Sequence, residues 1–445
     1  MTTESSSKNR RWKRYPAYKP SGVEWLGVVP EWWNVGRLKF FCIINPSKSE
    51  IAYFSDEMEV SFLPMENIGE DHSLRLDTNK QLSEVWSGYT YFQDNDVILA
   101  KITPCFENGK CSICTGLTNK LGFGTTELHV LRSTNAITPK FCYYLIQSHA
   151  FKSIGSKLMS GTTGQKRLPD DFVKDYKQGI PPIPEQISIS TFLDRETARI
   201  DALIEKKERQ IELLKEKRAA LISHAVTKGL DPNVKMKDSG VEWLGMVPEH
   251  WDVDRMKNFA EIISGQSPSE ETYNSDGNGA ILVNGPAEYS ENDFGLTREL
   301  KWTTDPKKWA PQGALLFCLR GSTTGRLNIT HTKLSVGRGV AALVARDDQH
   351  FLNYLMVAMR DFVLETSNGS TFPSVTSENL GEYPLCRPSV KEQEVIANFL
   401  NCETANIDII LGKIHESMNK LREYRSALIS AAVTGKIDVR QEAKL

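Results

Sequence analysis

Two segments of the chain carry apolar side chains at alternating spacings of four and three residues. In the first segment the periodic positions are Ile200, Ile204, Lys207, Ile211, Leu214, Arg218, Leu221 and Ala225. In the second segment the same positions hold Ile407, Leu411, Ile414, Met418, Leu421, Arg425, Leu428 and Ala432. This spacing puts the side chains of each segment on one face of an α-helix and is typical of a coiled-coil seam. We therefore predict two long helices with matching apolar stripes.

Each predicted helix needs a partner for its stripe, and the other stripe is the obvious one. No proline interrupts either run, and Gly229 and Gly435 follow as stop signals. Roughly 30 residues of helix would reach about 45 Å. The short linker TKGLDPNVKMKD begins the second half of the chain at the far end of the first helix. Parallel pairing would need a long return connection, so the sequence favours antiparallel pairing. Two unrelated helices, each buried on its own domain, are the alternative.

The chain is an internal repeat. SGVEWLG occurs at residues 21–27 and again at 239–245, within the longer matches SGVEWLGVVPEWWNVGRLKFF and SGVEWLGMVPEHWDVDRMKNF. We call these two segments the heads. The helical tails repeat with an offset of 207 residues, against 218 for the heads. The tryptophans of the heads, Trp25, Trp32, Trp33, Trp243 and Trp251, suit core anchors better than base-stacking platforms.

The middles of the two halves, residues 36–183 and 254–388, share a pattern of short strands followed by a short helix, but little sequence. We align Gly122 with Gly337 and Gly124 with Gly339. The predicted fold class is α+β: two similar domains and an antiparallel two-helix coiled-coil spacer, related by a pseudo-two-fold. The predicted domain boundaries are 1–20 (basic flexible tail), 21–183 (first domain), 184–238 (central helix and linker), 239–388 (second domain) and 389–445 (C-terminal helix and tail).

Composition places the chain among ordinary soluble proteins of more than one domain. It has 445 residues, of which 40% are hydrophobic and 25% charged. No apolar run approaches the roughly 20 residues that span a bilayer, and no apolar signal-peptide core follows the N-terminus. Eight cysteines without a framework pattern suit a reducing compartment, so we expect a cytoplasmic protein.

The net charge of −2 conceals a local basic segment. Between residues 301 and 338 seven basic residues accompany a single acid, Asp305. Arginine can pair with guanine, and small polar side chains can reach phosphates or base edges. Glycine-rich loops of both halves therefore supply the candidate DNA contacts. These are Lys101, Thr103, Asn108, Lys110, Thr162, Thr163 and Gln165 in the first half, and Arg320, Thr323, Thr324, Arg326 and Arg338 in the second.

Catalytic and metal-binding patterns are missing from the sequence. No phosphate-binding loop is present, and VGRGVAA, from Val336, leads into a β-branched run rather than a helix. Cys111 and Cys114 form a lone pair near Cys105 and His129, and no second pair completes a zinc site. We therefore expect no catalytic residue, no metal and no cofactor in this chain.

The combination of paired heads, variable middles and EQ-x(5)-FL-x(2)-ET-x(2)-ID tails resembles the specificity subunits of type I restriction–modification enzymes. The resemblance covers residues 18–439. It implies that each middle is a target recognition domain reading one half of a split, asymmetric DNA site. It also implies a helical spacer, two methyltransferase subunits that bind S-adenosylmethionine, and restriction subunits that use ATP and Mg²⁺. Two alternatives stay open: an adaptor that joins proteins without touching DNA, and a self-sufficient DNA-modifying enzyme.

Overall fold

The computed structural model describes residues 12–161, 165–367 and 374–442. These residues form two compact units. The first unit contains the chain up to Lys207 together with the residues from Glu416 onward, and the second unit contains Glu208–His415. The last part of the chain therefore completes the first unit rather than the second.

The first unit is built on two four-stranded sheets. Its strands are β1 (Tyr18–Pro20), β2 (Val28–Pro30), β3 (Asn34–Arg37), β4 (Cys42–Ile44), β5 (Glu59–Leu63), β6 (Asn79–Gln81), β7 (Thr90–Gln93), β8 (Val97–Ala100), β9 (Cys111–Ile113), β10 (Leu121–Gly124), β11 (Leu128–Ser133) and β12 (Lys177–Ile180). Its short helices are α1 (Leu82–Val85), α2 (Pro139–Gln147), α3 (His149–Leu158) and α4 (Asp170–Asp175). The sheet orders are β6-β5-β10-β7 and β4-β11-β8-β9, while β1 pairs with β2 and β3 with β12.

The second unit repeats this plan. Its strands are β13 (Met236–Asp238), β14 (Met246–Pro248), β15 (Asp252–Arg255), β16 (Ala260–Ser264), β17 (Tyr273–Asn274), β18 (Ala280–Val283), β19 (Trp302–Thr303), β20 (Trp309–Ala310), β21 (Leu315–Cys318), β22 (Leu327–Ile329), β23 (Leu334–Val336), β24 (Val340–Ala345) and β25 (Pro384–Arg387). Its short helices are α6 (Met256–Phe259), α7 (Gln349–Ala358), α8 (Arg360–Glu365) and α9 (Ser377–Glu382). The sheet orders are β17-β19-β18-β23-β20 and β16-β24-β21-β22.

The strand register corrects one detail of the predicted alignment. Leu128 lies opposite Ala100 in the first unit, and Val340 lies opposite Cys318 in the second. These pairs make Leu128 and Val340 equivalent, so Gly124 corresponds to Val336. The predicted match of Gly124 with Gly339 is wrong by three residues, because glycine-rich turns look alike in sequence while strand pairing fixes the true register.

Two long helices complete the units: α5 (Ile183–Lys228) and α10 (Val390–Val433). Gly229 and Gly435 follow them with φ angles of 77° and 70°, which confirms the predicted stop signals. Ile200, Ile211, Ile407, Met418 and Leu428 are buried. The other predicted apolar seam positions, Ile204, Leu214, Leu221, Leu411, Ile414 and Leu421, are half-buried. The flanking positions are mostly exposed, as the stripe requires.

Crosswise ion pairs show the direction in which the helices pack. In the first unit, the end of α10 lies on the start of α5, and Arg425 Nε donates to Asp201 Oδ1 at 2.9 Å. In the second unit, the end of α5 lies on the start of α10, and Arg218 Nη1 donates to Asp408 Oδ1 at 3.1 Å. The start of each helix thus meets the end of the other, which confirms the predicted fold class with antiparallel helices.

The repeated heads are structural anchors. Trp33 and Trp251 are buried, and their indole Nε1 atoms donate to Glu185 at 3.0 Å and to Glu392 at 3.3 Å. Each head is therefore tied to the first turn of the long helix that follows its own domain. Further ring contacts are Trp25–Tyr176, Trp33–Phe141 and Trp243–Phe362. A buried indole N–H needs a hydrogen-bond acceptor, and the glutamate of the EQ motif supplies it in each half. This explains why the heads and the EQ motifs repeat together.

The predicted flexible tail needs a correction. Residues 1–11 lie outside the described part of the chain, but Trp12–Pro20 are packed in the first unit. Trp12 meets Phe192 edge-on at 4.9 Å, and Tyr15 is buried. Lys13 pairs with Asp438 in an isolated bridge. Aromatic residues within a basic stretch supply the apolar surface that holds this segment in place.

Candidate nucleic-acid interface

In the first unit, two of the loops that the sequence singles out lie against each other. The loop after β8 meets the segment before α4: Thr103 N donates to Lys166 O at 3.0 Å, and Lys166 N donates to Thr103 Oγ1 at 3.0 Å. Leu168 N donates to Lys101 O at 2.7 Å. Lys101 and Thr103 are half-buried, while Gln165 and Lys166 are exposed. Thr162 and Thr163, also predicted as contacts, lie outside the described residues.

The second unit contains the same junction. Arg320 pairs in an isolated bridge with Ser374, and Val375 N donates to Leu319 O at 2.9 Å. Arg320 and Arg338 are exposed. The hairpin ends β8–β9 and β21–β22 therefore each meet the segment that leads into the last short helix of the unit. Equivalent positions in this junction carry different side chains, since Ile102 and Arg167 stand where the second unit has Arg320 and Ser374.

Two of the predicted DNA contacts, Asn108 and Lys110, form side-chain hydrogen bonds within the first unit. We call residues 64–78, which join β5 to β6, the first strap. Asn108 Nδ2 donates to Glu70 Oε1 at 2.6 Å, and Lys110 Nζ donates to Met65 O at 3.2 Å. Both side chains therefore hold the first strap onto the β8–β9 loop. Their predicted contact with DNA stays a prediction.

Arg326 has the corresponding role in the second unit. The second strap, residues 284–301, joins β18 to β19. Arg326 Nη2 donates to Ser290 O at 3.1 Å, and its guanidinium lies 5.9 Å from the ring centroid of Tyr289. A basic side chain that leaves its hairpin to bind a strap carbonyl is thus common to both units. The sequence pattern shows a basic residue near glycines but not the carbonyl that it meets.

Thr323 and Thr324 belong to the turn after β21. Thr324 is buried, and its Oγ1 donates to Gly321 O at 2.8 Å. Thr323 Oγ1 lies 3.6 Å from Cys318 Sγ. The hydroxyl of Thr324 closes the turn from inside, which corrects the prediction that it reaches DNA directly. Thr323 is half-buried at the same turn.

Glu127 is a residue of this surface that sequence reasoning missed. Arg167 donates to its carboxylate with two nitrogens, Nε at 2.9 Å and Nη2 at 2.7 Å. These hydrogen bonds from Arg167 hold the pKa of Glu127 below its ordinary value. The loop SGTTGQKR has no acid of its own, and the acid comes from a strand end some 40 residues earlier. The pair of Arg167 and Glu127 becomes visible only in the fold, where the two loops lie side by side next to β11.

Acidic side chains also neutralise part of the positive charge of the basic segment in the second unit. Lys307 pairs with Asp305 at 2.6 Å, and Lys301 lies 3.8 Å from Glu288. Lys333 Nζ lies 4.9 Å from the ring centroid of Trp309. The local excess of basic residues in the sequence therefore overstates the free positive charge in the fold.

The described ranges contain no cluster of three or more His, Cys, Asp or Glu side chains suited to a metal ion. Cys111 and Cys114 are buried in the core, and burial raises the pKa of the Cys111 thiol to about 12. None of the helices within these ranges is long and apolar enough to cross a bilayer.

Known proteins resemble this chain in sequence and in fold. The family model for the type I restriction modification DNA specificity domain matches residues 30–213 and 248–417. The EcoEI specificity subunit of Escherichia coli is 39% identical over 189 residues, covering 42% of this chain and 31% of that subunit. The chain thus matches less than a third of that relative's length. A putative MjaX specificity subunit of Methanocaldococcus jannaschii is 24% identical over 433 residues, covering 93% of this chain and 96% of the relative.

Solved structures share the fold at low sequence identity. The HsdS subunit from Thermoanaerobacter tengcongensis superposes with a TM-score of 0.57 at 19% identity, covering 92% of this chain and 98% of that one. A chain from work on complex assembly and conformational transition of the type I R-M system gives 0.69 at 20% identity, covering 91% and 98%. The two family matches together span well over half of the residues. The chain belongs to the family of type I restriction–modification DNA specificity domains and carries that domain twice.

Proposed function

We propose that this chain is the DNA-recognition subunit of a type I restriction–modification complex. Each unit reads one half of a bipartite, asymmetric site, and the paired helices hold the two readers at a fixed spacing. One observation carries the proposal: the same fold occurs twice, with different side chains at the same hairpin junction. Identical readers would select a palindrome, whereas different readers select an asymmetric site.

The DNA contacts that we propose are the exposed and half-exposed side chains of the two junctions. Lys101, Thr103 and Gln165 serve the first unit, together with Lys166, and Arg320, Thr323 and Arg338 serve the second. Arginine at an exposed loop can fork onto guanine, while lysine favours phosphate. Thr162 and Thr163 stay predictions from the sequence.

The chain itself supplies recognition and assembly, not catalysis. In this proposal two methyltransferase subunits dock on the helices and bring S-adenosylmethionine, and restriction subunits bring ATP and Mg²⁺. The complex acts in the cytoplasm. The predicted domain boundaries at residues 21–183 and 239–388 remain part of this proposal.

The direct test is the methylome of cells that express this chain with its methyltransferase subunit. We expect one bipartite motif with a methylated adenine in each half. If the purified complex forms but neither methylates nor binds DNA at low salt, the chain is an adaptor between proteins and the proposal is wrong. Methylation by the isolated chain would instead identify a self-sufficient enzyme.

Exchanging residues 36–183 for the corresponding domain of another specificity subunit should change only one half of the motif. The second reader and the helical seam lie outside the exchanged segment, so the other half-site and the gap should be retained. The reciprocal exchange of residues 254–388 is the matched control and should change only the opposite half. A change in both halves after either exchange would contradict separate readers.

Glu127→Gln should strengthen DNA binding and reduce its selectivity. The variant removes the charge that engages Arg167, so this guanidinium becomes available to phosphate. We expect the slope of log affinity against log salt to become steeper by about one, which corresponds to one additional phosphate contact. Glu416→Gln removes the same charge from an exposed pair with Lys420 on α10 and serves as the control. Equal slopes for both variants would mean that Arg167 does not reach DNA.

A further inference from the structure

A cavity of about 700 Å³ lies in the first unit and has no role in the proposed DNA recognition. Its walls come from the first strap (residues 72–76), the end of β9 (residues 112–115), the start of α2 and residues 187–194 of α5. Its volume is in the range of small-molecule sites, roughly 300–1,000 Å³. Ile187, at its rim, is 54% exposed, so the cavity is reachable from solvent.

A buried hydroxyl without a partner lies in the wall of this cavity. Ser190 is 3% exposed, and within the described residues its Oγ makes no hydrogen bond. Other hydroxyls of the same helix bond to the carbonyl four residues before them: Ser188 Oγ to Pro184 O at 3.0 Å, and Thr197 Oγ1 to Leu193 O at 2.7 Å. A buried hydroxyl without a partner is destabilising, so a bound molecule that accepts or donates a hydrogen bond at Ser190 Oγ would satisfy it.

The opposite charges of Lys140 and Asp194, which line the cavity, neutralise each other. Lys140 Nζ pairs with Asp194, whose other oxygen accepts the Tyr144 hydroxyl at 2.8 Å. Burial lowers the pKa of His72 to about 4, so its ring is neutral at pH 7. A charged ligand would find no uncompensated counter-charge among these groups and would lose hydration on entry. The cavity therefore suits an uncharged molecule.

The apolar walls suit a flat ring. Pro139 and Tyr143 are four residues apart on α2 and line one side together. Leu74 and Leu76 of the first strap line the cavity as well, beside Ile113 of β9. Aromatic and aliphatic surfaces flanking a few hydrogen-bonding groups are the usual recognition elements for a heteroaromatic ring.

The second unit differs at the corresponding places. Its strap puts Phe294 edge-on against Tyr354 of α7, with ring centroids 5.0 Å apart. The position of Ser190 is taken by Ala397, which has no hydroxyl to satisfy. The two units share the fold, but this arrangement of an unpartnered hydroxyl above a neutral cavity belongs to the first.

We propose that this cavity binds an uncharged heteroaromatic ligand of nucleoside size, with Ser190 Oγ bonding to the edge of the ring and Tyr143 contacting its face. The base could belong to a free nucleoside or to an unpaired position in DNA, because both present the same edge and face. This inference does not rest on the proposed function, since it follows from the cavity alone.

The test is ligand-observed NMR and calorimetry on the full chain with adenosine, thymidine, cytidine and guanosine, each up to millimolar concentration. We expect saturable binding of at least one nucleoside. Ser190→Ala removes one hydrogen bond and should weaken that binding about 3- to 10-fold. Ala397→Ser places the same hydroxyl in the second unit and should leave the affinity unchanged. Absence of saturable binding by all four nucleosides would overturn the proposal, as would equal affinities of wild type and Ser190→Ala.

A second variant fills the cavity instead of removing a bond. Leu74→Trp should abolish nucleoside binding, and a circular dichroism spectrum and melting temperature like those of the wild type would show that the fold is intact. Retained affinity in this folded variant would place the ligand elsewhere and contradict the proposal. A duplex with one unpaired base then identifies the source: displacement of the nucleoside assigns the site to DNA, and no displacement assigns it to a free ligand.

Discussion

Gln186→Leu is expected to destabilise the first unit by about 3–4 kcal/mol, because three backbone groups lose the buried Gln186 side chain as their partner together. Gln186 is fully buried at the start of α5. Its Oε1 accepts Thr138 N at 2.7 Å, and its Nε2 donates to Ala136 O at 2.9 Å and Pro181 O at 2.8 Å. The side chain thus joins the start of the long helix to the start of α2. Leucine has similar volume but cannot bond to any of the three.

The measurement is urea unfolding combined with hydrogen exchange. Peptides from residues 136–147 should lose protection by a factor of roughly 100–1,000. Gln393→Leu is the matched control in the second unit. Gln393 accepts Asp348 N at 3.3 Å and donates to Pro388 O at 3.0 Å, so its longer bonds should give a smaller effect, confined to the second unit. Unchanged protection in Gln186→Leu would show that water or repacking replaces the lost bonds.

A fragment that ends after the linker, residues 1–238, should form a homodimer that selects a palindromic site. In the full chain the first unit needs the end of α10, whose Ile429 and Val433 lie in its core. The end of α5 offers similar surface, since Ile222 and Val226 have the same place in the core of the second unit. A second copy of α5 can therefore stand in for α10.

Polar contacts at the helix ends support this exchange. Lys436 Nζ donates to Leu26 O and Val28 O at 2.8 Å each in the first unit. In the second unit, Lys228 Nζ donates to Leu244 O at 2.9 Å and to Met246 O. In the fragment, Lys228 of one copy would meet the head of the other, and Asp201 would pair with Arg218 of the other copy.

Light scattering gives the mass of the fragment, and the methylome gives its motif. We expect a dimer, and a motif made of the first half-site and its inverted repeat. Arg218→Asp should weaken the dimer by setting acid against Asp201, and combining it with Asp201→Arg should restore it. A monomeric fragment that still methylates the asymmetric site would contradict this account.

The sequence predicts the helices well, because their signal is local. Seam residues such as Ile200 and Ile407 recur with the period of the helix itself, and burial follows that period. The repeat of heads and tails likewise predicts two similar units. The partners Asp408 of Arg218 and Asp201 of Arg425 were not predicted, since each pair joins residues about 200 positions apart.

The loops show why the candidate site was harder to predict. Lys110 and Arg326 look like DNA contacts in a glycine-rich context, yet each bonds to a carbonyl of a strap that lies elsewhere in the sequence. Glu127 has no local feature that links it to Arg167. Composition identifies which loops are polar, but only the packing of loop on loop decides which side chains stay free.

The division of the helices between the units sets an order of events during synthesis. The second unit is one continuous stretch, Glu208–His415, whereas the first unit needs the residues from Glu416 onward. On the ribosome the first unit is translated first but can be completed only when the last segment of the chain emerges. Until then the apolar surface around Trp33 and Ile200, which the end of α10 buries in the complete chain, stays exposed to solvent. A message cut short before Glu416 therefore yields a chain whose later half can fold and whose earlier half stays open to proteases and chaperones.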